Sequence, residues 1–261
     1  MADLILYDVR DRVATVTLNR PDKRNALNAD LVTALQGAFA EAASDEGVRV
    51  IVLTGAGKVF SAGADLAALE ALQSATPLEN LADSEHLAAL FEQIYLHPRP
   101  VIARINGHAI AGGCGLAAVC DFSIAAAPAK LGFTETRIGF VPAIVMVFVL
   151  RKLGEAAARD LLLRGVLVTA EAAASLGLIT RAVAAEALDA AVDELARELA
   201  TQTSGSAVAL TKKMLAQVPG MGLSEALSYA TQMNAFARST PDCQAGIAAF
   251  LNKTDPPWRD S

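Results

Sequence analysis

Little in this 261-residue chain points to a metal, a disulfide or a nucleic acid. The cysteines number three, Cys114, Cys120 and Cys243, an odd count without zinc-site spacing. Two of them sit in an apolar, glycine-rich stretch, which suits buried free thiols in a reducing compartment. The three histidines, His86, His97 and His108, are not spaced as metal ligands with nearby carboxylates. Each reads as a surface or packed imidazole, and His108, although it sits in a glycine turn, is given no role. Aromatic residues make up only 5% of the chain, and there is neither a Lys/Arg run nor a basic stripe interleaved with aromatics. With 22 basic residues against 28 acidic ones, a net charge of −6 argues against nucleic acid as the main partner.

Long hydrophobic runs are missing too. The longest nearly apolar run, 138–150, is bounded by Arg137 and by Arg151 and Lys152 and falls short of the roughly 20 residues that span a bilayer. It is expected to be core or pocket wall. Asp3, Asp8, Arg10, Asp11 and Arg12 stand where a signal peptide needs an uninterrupted apolar segment, so a cytoplasmic protein is expected. Three familiar nucleotide and hydrolase signatures fail. Gly55-Ala56-Gly57-Lys58 resembles a phosphate loop, but the first glycine of that motif is missing and Val59 replaces the Ser or Thr that holds magnesium. No GxGxxG follows a strand, and Ser61 lacks the GxSxG elbow.

What is present is a sizeable core, with 53% hydrophobic residues, and a clear alternation of patterns. Residues 4–9 and 13–18 predict a hairpin. Residues 19–28 form a loop in which Asn28 or Asp30 can cap the helix that follows, whose apolar face carries Leu31, Ala34, Leu35, Ala38, Phe39 and Ala42. Residues 48–54 read as a buried strand, and 67–96 as helix interrupted near 74–77. Segment 101–125 repeats the strand, turn, helix, strand plan, which argues for βα units. Beyond 154 the chain reads as helix except for a short strand at 178–183.

The stretch 101–121, VIARINGHAIAGGCGLAAVCD, organises the rest. It predicts a buried strand, a glycine-studded turn at 106–113 and a small-residue helix from about Cys114. The first N–H groups of a helix lack internal partners and, with the helix dipole, favour negative charge; Gly112 and Gly113 allow a ligand close to the backbone. The other reading of these glycines is tight packing of strand on helix. Glu135, in the largely apolar LGFTETRIGF, is the candidate proton carrier, because desolvation raises a carboxyl group toward neutral pH. An ion pair with Arg137, or a carboxylate at a helix start after Thr134, is the structural alternative.

Together FSAGADL (60–66), INGHAIAGGCGLA (105–117) with CDF behind it, and LGFTETRIGFVP (131–142) resemble, in order and spacing, the crotonase superfamily, also called the enoyl-CoA hydratase/isomerase family. The resemblance spans about 19–253. It implies an α/β crotonase (ClpP-like) fold: a spiral of repeated ββα turns over 1–195, then a C-terminal helical trimerisation region over 196–261, assembling as a homotrimer or homohexamer. It also implies an acyl-CoA thioester substrate and no metal or redox cofactor. The N–H groups of Ala62 and Gly112 match the oxyanion hole, and Glu135 matches the second of two catalytic glutamates. Lys23, Arg24, Ala26 and Leu27, with Ala62, Gly63, Ala64, Asp65 and Leu66, match the CoA-binding loops. Phe250 and Lys253 match residues that reach CoA from a neighbouring subunit, although Lys253 also reads as a solvated tail charge.

Two departures bear on activity. Where two-glutamate hydratases read GGGCE, this chain reads AGGCG, so Gly115 replaces the first carboxylate and leaves room for a held water. After Pro142, the apolar run Ala143-Ile144-Val145-Met146 replaces a glycine-rich one. The resemblance implies hydration of a 2-enoyl-CoA to a 3-hydroxyacyl-CoA, as in fatty acid metabolism. Alternatives are Δ3-Δ2 enoyl-CoA isomerisation, a methylglutaconyl-CoA type of hydration with Arg137 meeting the extra carboxylate, and an idle CoA-binding oligomer.

Overall fold

Alternation on either side of Arg10 becomes an antiparallel hairpin, β1 (Ile5–Arg10) and β2 (Val13–Leu18), turned by Asp11 and Arg12, both at positive φ. The computed structural model describes residues 3–259, apart from the side chains of Leu66 and Leu72. Helix α1 (Ala29–Ser44) starts at Asn28, whose side chain accepts from the Leu31 N–H at 3.1 Å, and buries the face read from its spacing. Strand β3 (Val50–Gly55) is buried at every position, as a parallel strand covered on both faces must be.

From β3 onward one plan recurs three times: a strand in a large sheet, a three-residue strand in a small sheet, then helix. β3 leads to β4 (Val59–Ser61) and helices α2 (Leu66–Leu72) and α3 (Pro77–Tyr95). β5 (Val101–Ile105) leads to β6 (His108–Ile110) and α4 (Gly112–Val119). β7 (Phe122–Ala126) leads to β8 (Lys130–Gly132), a 3₁₀ turn (Glu135–Ile138), α5 (Ala143–Leu153) and α6 (Glu155–Arg164). Then follow β9 (Leu167–Thr169), α7 (Ala170–Leu176), β10 (Arg181–Val183), α8 (Leu188–Gln202), α9 (Gly205–Gln217), α10 (Leu223–Arg238) and α11 (Pro241–Asn252). The large sheet runs β1-β2-β3-β5-β7-β10 and the small one β4-β6-β8-β9. This is the ββα spiral that the resemblance implied.

Four sequence-based expectations change. The turn expected at 106–113 contains β6, and α4 begins at Gly112 rather than Cys114. A three-residue strand is too short to display the two-residue alternation by which strands are read, so the small sheet escapes the pattern. The boundary at 195/196 falls inside α8, one face of which, Leu188, Val192, Ala196 and Ala200, packs with Val50, Val52, Ile102 and Ile124 of the large sheet. The helix ends only at Thr203, so it belongs to the core and the outlying helices begin at α9. Finally, 138–150, expected as core or pocket wall, joins the core only in part. In α5 only Val145 and Val149 are buried, while Ile138, Phe140, Val141 and Val147 are more than half exposed.

The loop before α1 is tied to the first ββα unit by buried Asn25. Its Oδ1 accepts from the Arg20 N–H at 3.0 Å, its Nδ2 donates to the Ala56 and Val59 carbonyls at 2.9 and 2.8 Å, and its carbonyl accepts from the Ser61 hydroxyl at 2.8 Å. Asn25→Ala strands these buried backbone groups and is expected to cost about 2–4 kcal/mol, read as a lower midpoint of urea unfolding. An unchanged midpoint would show that the loop is held by other means.

Candidate active site

The register of the small sheet sets three chain junctions side by side. Ser61 of β4 pairs with Ala109 of β6, and Ala109 with Leu131 of β8, all parallel. Three residues past Ser61 stands Ala64; three past Ala109 stands Gly112; four past Leu131 stands Glu135. Neighbouring strands lie about 4.8 Å apart, so these positions leave the same sheet edge close together. A Cβ placed on Gly63 would lie only 3.5 Å from the Gly112 nitrogen, which sets the first two junctions in contact.

Gly112 opens α4, so its N–H has no acceptor within the helix. The turn before it is strained: Ala111 holds φ 51° and ψ −123°, which a residue with a Cβ rarely adopts, and its N–H donates to the Gly132 carbonyl at 2.8 Å. A Cβ on Gly113 would sit 2.5 Å from the Ser61 carbonyl oxygen, so only glycine lets α4 settle onto β4.

The second backbone donor is not the one expected. The Ala62 N–H donates to the Arg24 carbonyl at 3.0 Å and is used up inside the fold. Leu27 then pairs across Ala64: its N–H donates to the Gly63 carbonyl at 2.7 Å, and its carbonyl accepts from the Asp65 N–H at 2.8 Å. That pattern leaves the Ala64 N–H without an acceptor among the described residues, on an exposed residue beside Gly112. Ala64 stands three residues past Ser61, the same offset as Gly112 past its register partner Ala109, a relation visible only once the short strands are paired.

Glu135 is half-buried at the head of the 3₁₀ turn. Its Oε2 is buried with no hydrogen-bond partner, and no cation lies within ion-pairing distance of it among the described residues. Arg137, the alternative partner, turns its Nε to the Arg164 carbonyl at 3.5 Å. Desolvation raises the Glu135 carboxyl above its ordinary pKa, opposed by a hydrogen bond from its own N–H. Burial pushes the Cys114 thiol up to about 12, with the Glu135 charge adding to it, so Cys114 stays a protonated, inert neighbour.

Gly115 does not leave room for water. A Cβ there would stand 2.5 Å from Val145 Cγ1 and 2.8 Å from the Phe91 ring, so both side chains close on its backbone and fill the space. Val145 belongs to the apolar run after Pro142 that the sequence marked as a departure, whereas Phe91 did not stand out.

The predicted CoA-binding residues divide. Lys23 and Arg24 are exposed cations on the 20–27 loop, which is bonded to the 61–65 loop. Leu27 borders Gly112, whose added Cβ would lie 3.3 Å from Leu27 Cδ1. The Ala26 carbonyl accepts from Arg20 at 2.6 Å, and Gly63 donates to the Ser61 hydroxyl at 3.3 Å. Asp65 spends its carboxylate on the fold. Its Oδ2 pairs with Arg20 at 2.7 Å and its Oδ1 caps α2 at the Ala67 N–H, and the Arg20 bond holds the carboxyl below its usual range. The Leu66 side chain lies outside the described residues. Phe250, 82% exposed, and Lys253, which ends α11, stand on helices that pack among themselves and make no hydrogen bond or ion pair to these loops among the described residues.

Half-buried and with its Oε2 unpartnered, Glu135 should cost stability. Because its folded pKa is raised, the native state holds the proton more tightly than the unfolded chain, and the ionised form becomes a penalty once pH climbs past the ordinary carboxylate value of about 4.3. Glu135→Gln should therefore gain roughly 0.5–2 kcal/mol at neutral pH, the advantage fading toward about pH 4. Thermal melts of both proteins across that range check this, and a difference independent of pH would refute it.

Comparison with known proteins identifies the family. The model of the enoyl-CoA hydratase/isomerase family matches residues 8–261. A putative enoyl-CoA hydratase of Thermus thermophilus is 45% identical over 248 residues, covering 95% of this chain and 97% of that protein. A probable enoyl-CoA hydratase of Mycobacterium tuberculosis is 34% identical over 255 residues, covering 97% of each. The crystal structure of an enoyl-CoA hydratase from Mycobacterium smegmatis superposes with a TM-score of 0.91 at 34% identity, over 98% of this chain and 99% of that one.

Proposed function

The chain belongs to the enoyl-CoA hydratase/isomerase family, and from that premise we propose that it adds water across the 2,3 double bond of a 2-enoyl-CoA to give a 3-hydroxyacyl-CoA. The observation that carries the reading is the Glu135 carboxylate, desolvated and unpartnered, at the same sheet edge as the free Ala64 and Gly112 N–H groups. The thioester oxygen accepts from those two donors. Glu135 takes a proton from a water as its oxygen bonds to C3; the electrons of the double bond move onto the thioester as an enolate, which the two N–H groups stabilise more than the neutral ground state. The same carboxyl returns the proton to C2, so the atoms of one water are added and the enzyme is restored. The substrate carries the CoA, and proton transfer of this kind calls for no further cofactor.

In this reading the exposed Lys23 and Arg24 hold CoA phosphates at the loop rim. Phe250 and Lys253 serve a neighbouring subunit in a homotrimer or homohexamer, supported by the exposed apolar residues Leu223, Leu227, Phe236, Ile247 and Phe250 on α10 and α11. No helix among the described residues is long and apolar enough to cross a membrane, which is in keeping with a cytoplasmic place in acyl-CoA metabolism.

A second reading is favoured by the filled space at Gly115. With Val145 and Phe91 against that backbone, Glu135 lacks a facing carboxylate there. A single carboxylate suffices to carry a proton between C2 and C4 in Δ3-Δ2 isomerisation. Crotonyl-CoA and a 3-enoyl-CoA, supplied separately, distinguish the two. The hydratase consumes the conjugated thioester absorbance of the first, with kcat/KM falling at low pH along a limb above the usual carboxylate range. If crotonyl-CoA and longer or branched 2-enoyl-CoAs all persist while the 3-enoyl-CoA gains conjugation, hydration is refuted. An idle CoA binder would turn over neither.

The oxyanion donor is tested on its own. Gly112→Pro removes one N–H and should lower turnover by the equivalent of about 2.7–4 kcal/mol, with the variant's fold checked by circular dichroism. An unaltered rate in a folded variant would remove Gly112 from the site.

A further inference from the structure

Helix α4 has a second end, far from Glu135 in function. Beyond its last residues a cavity of about 180 Å³ opens, lined by Tyr95, Phe148 and Leu215 on its apolar side and by Asp121, Lys152 and Lys212 on its polar side, with Arg151 at the wall. None of Ala64, Gly112 or Glu135 borders it. The polar side is unbalanced, three cations facing one carboxylate.

That carboxylate is already engaged. Asp121 Oδ2 accepts from Lys212 Nζ at 2.5 Å and from the Val101 N–H at 2.7 Å. Lys212, buried, spends a second donor on the Arg99 carbonyl at 3.1 Å. Lys152 has no carboxylate within ion-pairing distance among the described residues. It reaches back to the end of α4, donating to the Ala118 and Cys120 carbonyls at 3.0 and 3.1 Å, which offsets the negative end of the helix dipole. An ammonium group has three donors, so each lysine keeps one that the fold does not use. Desolvation accordingly lowers the Lys152 pKa, and a bound anion would reverse that.

We propose that this cavity is a binding site for a short aliphatic carboxylate, its head group between the Lys152 and Lys212 ammonium groups and its alkyl chain along Tyr95, Phe148 and Leu215. Charge-assisted bonds to the two spare donors supply the missing anion. The volume equals about six waters' share of the liquid, which suits a chain of roughly four to six carbons and excludes an acyl-CoA. The site is separate from the proposed catalytic centre and does not depend on the reaction assigned there.

The probe is hexanoate, titrated calorimetrically into the full-length protein with and without saturating CoA, beside the uncharged isostere hexanamide. Hexanoate is expected to bind saturably whether or not CoA is present, with hexanamide at least about tenfold weaker. Lys152→Met should weaken hexanoate binding about ten- to a hundredfold. Because that variant leaves two carbonyls unsatisfied, Leu215→Trp, placed on a residue 66% exposed at the rim, provides a second test by filling the apolar side, and should abolish binding in a folded protein. The proposal is overturned if hexanoate does not bind, if CoA displaces it, if hexanamide binds equally, or if Leu215→Trp binds like the wild type.

Discussion

The parallel register of β4, β6 and β8 is the constraint on which the rest depends. Three strands of only three residues each have little stability of their own, yet their pairing fixes where three loops leave the sheet. A slip of one residue in β6 would turn Ala109 from the core and carry Gly112 away from Gly63. The large sheet prevents such slips. Each short strand follows within a few residues of a strand buried among parallel neighbours, so its position is inherited from a register that the core enforces.

Strain and unmet polarity gather where those loops meet. Ala111 holds a backbone conformation costing about 1–3 kcal/mol, and Glu135 keeps a carboxylate oxygen buried without a donor. Around them polar groups are satisfied with care: Asn25 makes bonds to four separate residues, and Arg20 joins the Ala26 carbonyl to Asp65. The contrast is physical. Groups that hold the loops spend their hydrogen bonds on the fold, whereas Glu135 Oε2 and the Ala64 N–H keep theirs unspent among the described residues.

What the sequence made legible follows the same division. Long periodic segments such as α1 and the continuous apolar β3 announced themselves, and the three ordered blocks located Gly112 and Glu135 on neighbouring loops. Properties that depend on hydrogen-bond direction stayed hidden. Ala62 and Ala64 differ by two positions in one loop, and only the pairing with Leu27 and Arg24 decides which N–H faces inward and which outward. The structural use of the Asp65 carboxylate was not legible, because a carboxylate in a loop looks the same on paper with or without Arg20 beside it. The 195/196 boundary falls inside α8 because that helix is amphipathic, and a change from strands to helices in the sequence does not reveal which helices still cover the sheet.

The two departures from the two-glutamate pattern prove to be one. Gly115 and the apolar run after Pro142 are 30 positions apart at Val145, yet Val145 Cγ1 lies only 2.5 Å from where a Cβ on residue 115 would be. Neither change fits without the other. A carboxylate at 115 would be driven into Val145 and Phe91 with nothing to pair it, whereas glycine at 115 without Val145 would leave a void beside the start of the catalytic helix. Apolar packing has thus replaced a charged group at the wall of the site. Under the proposed hydration water is drawn to Glu135 alone, and the packing at position 115 is set by the residue at position 145.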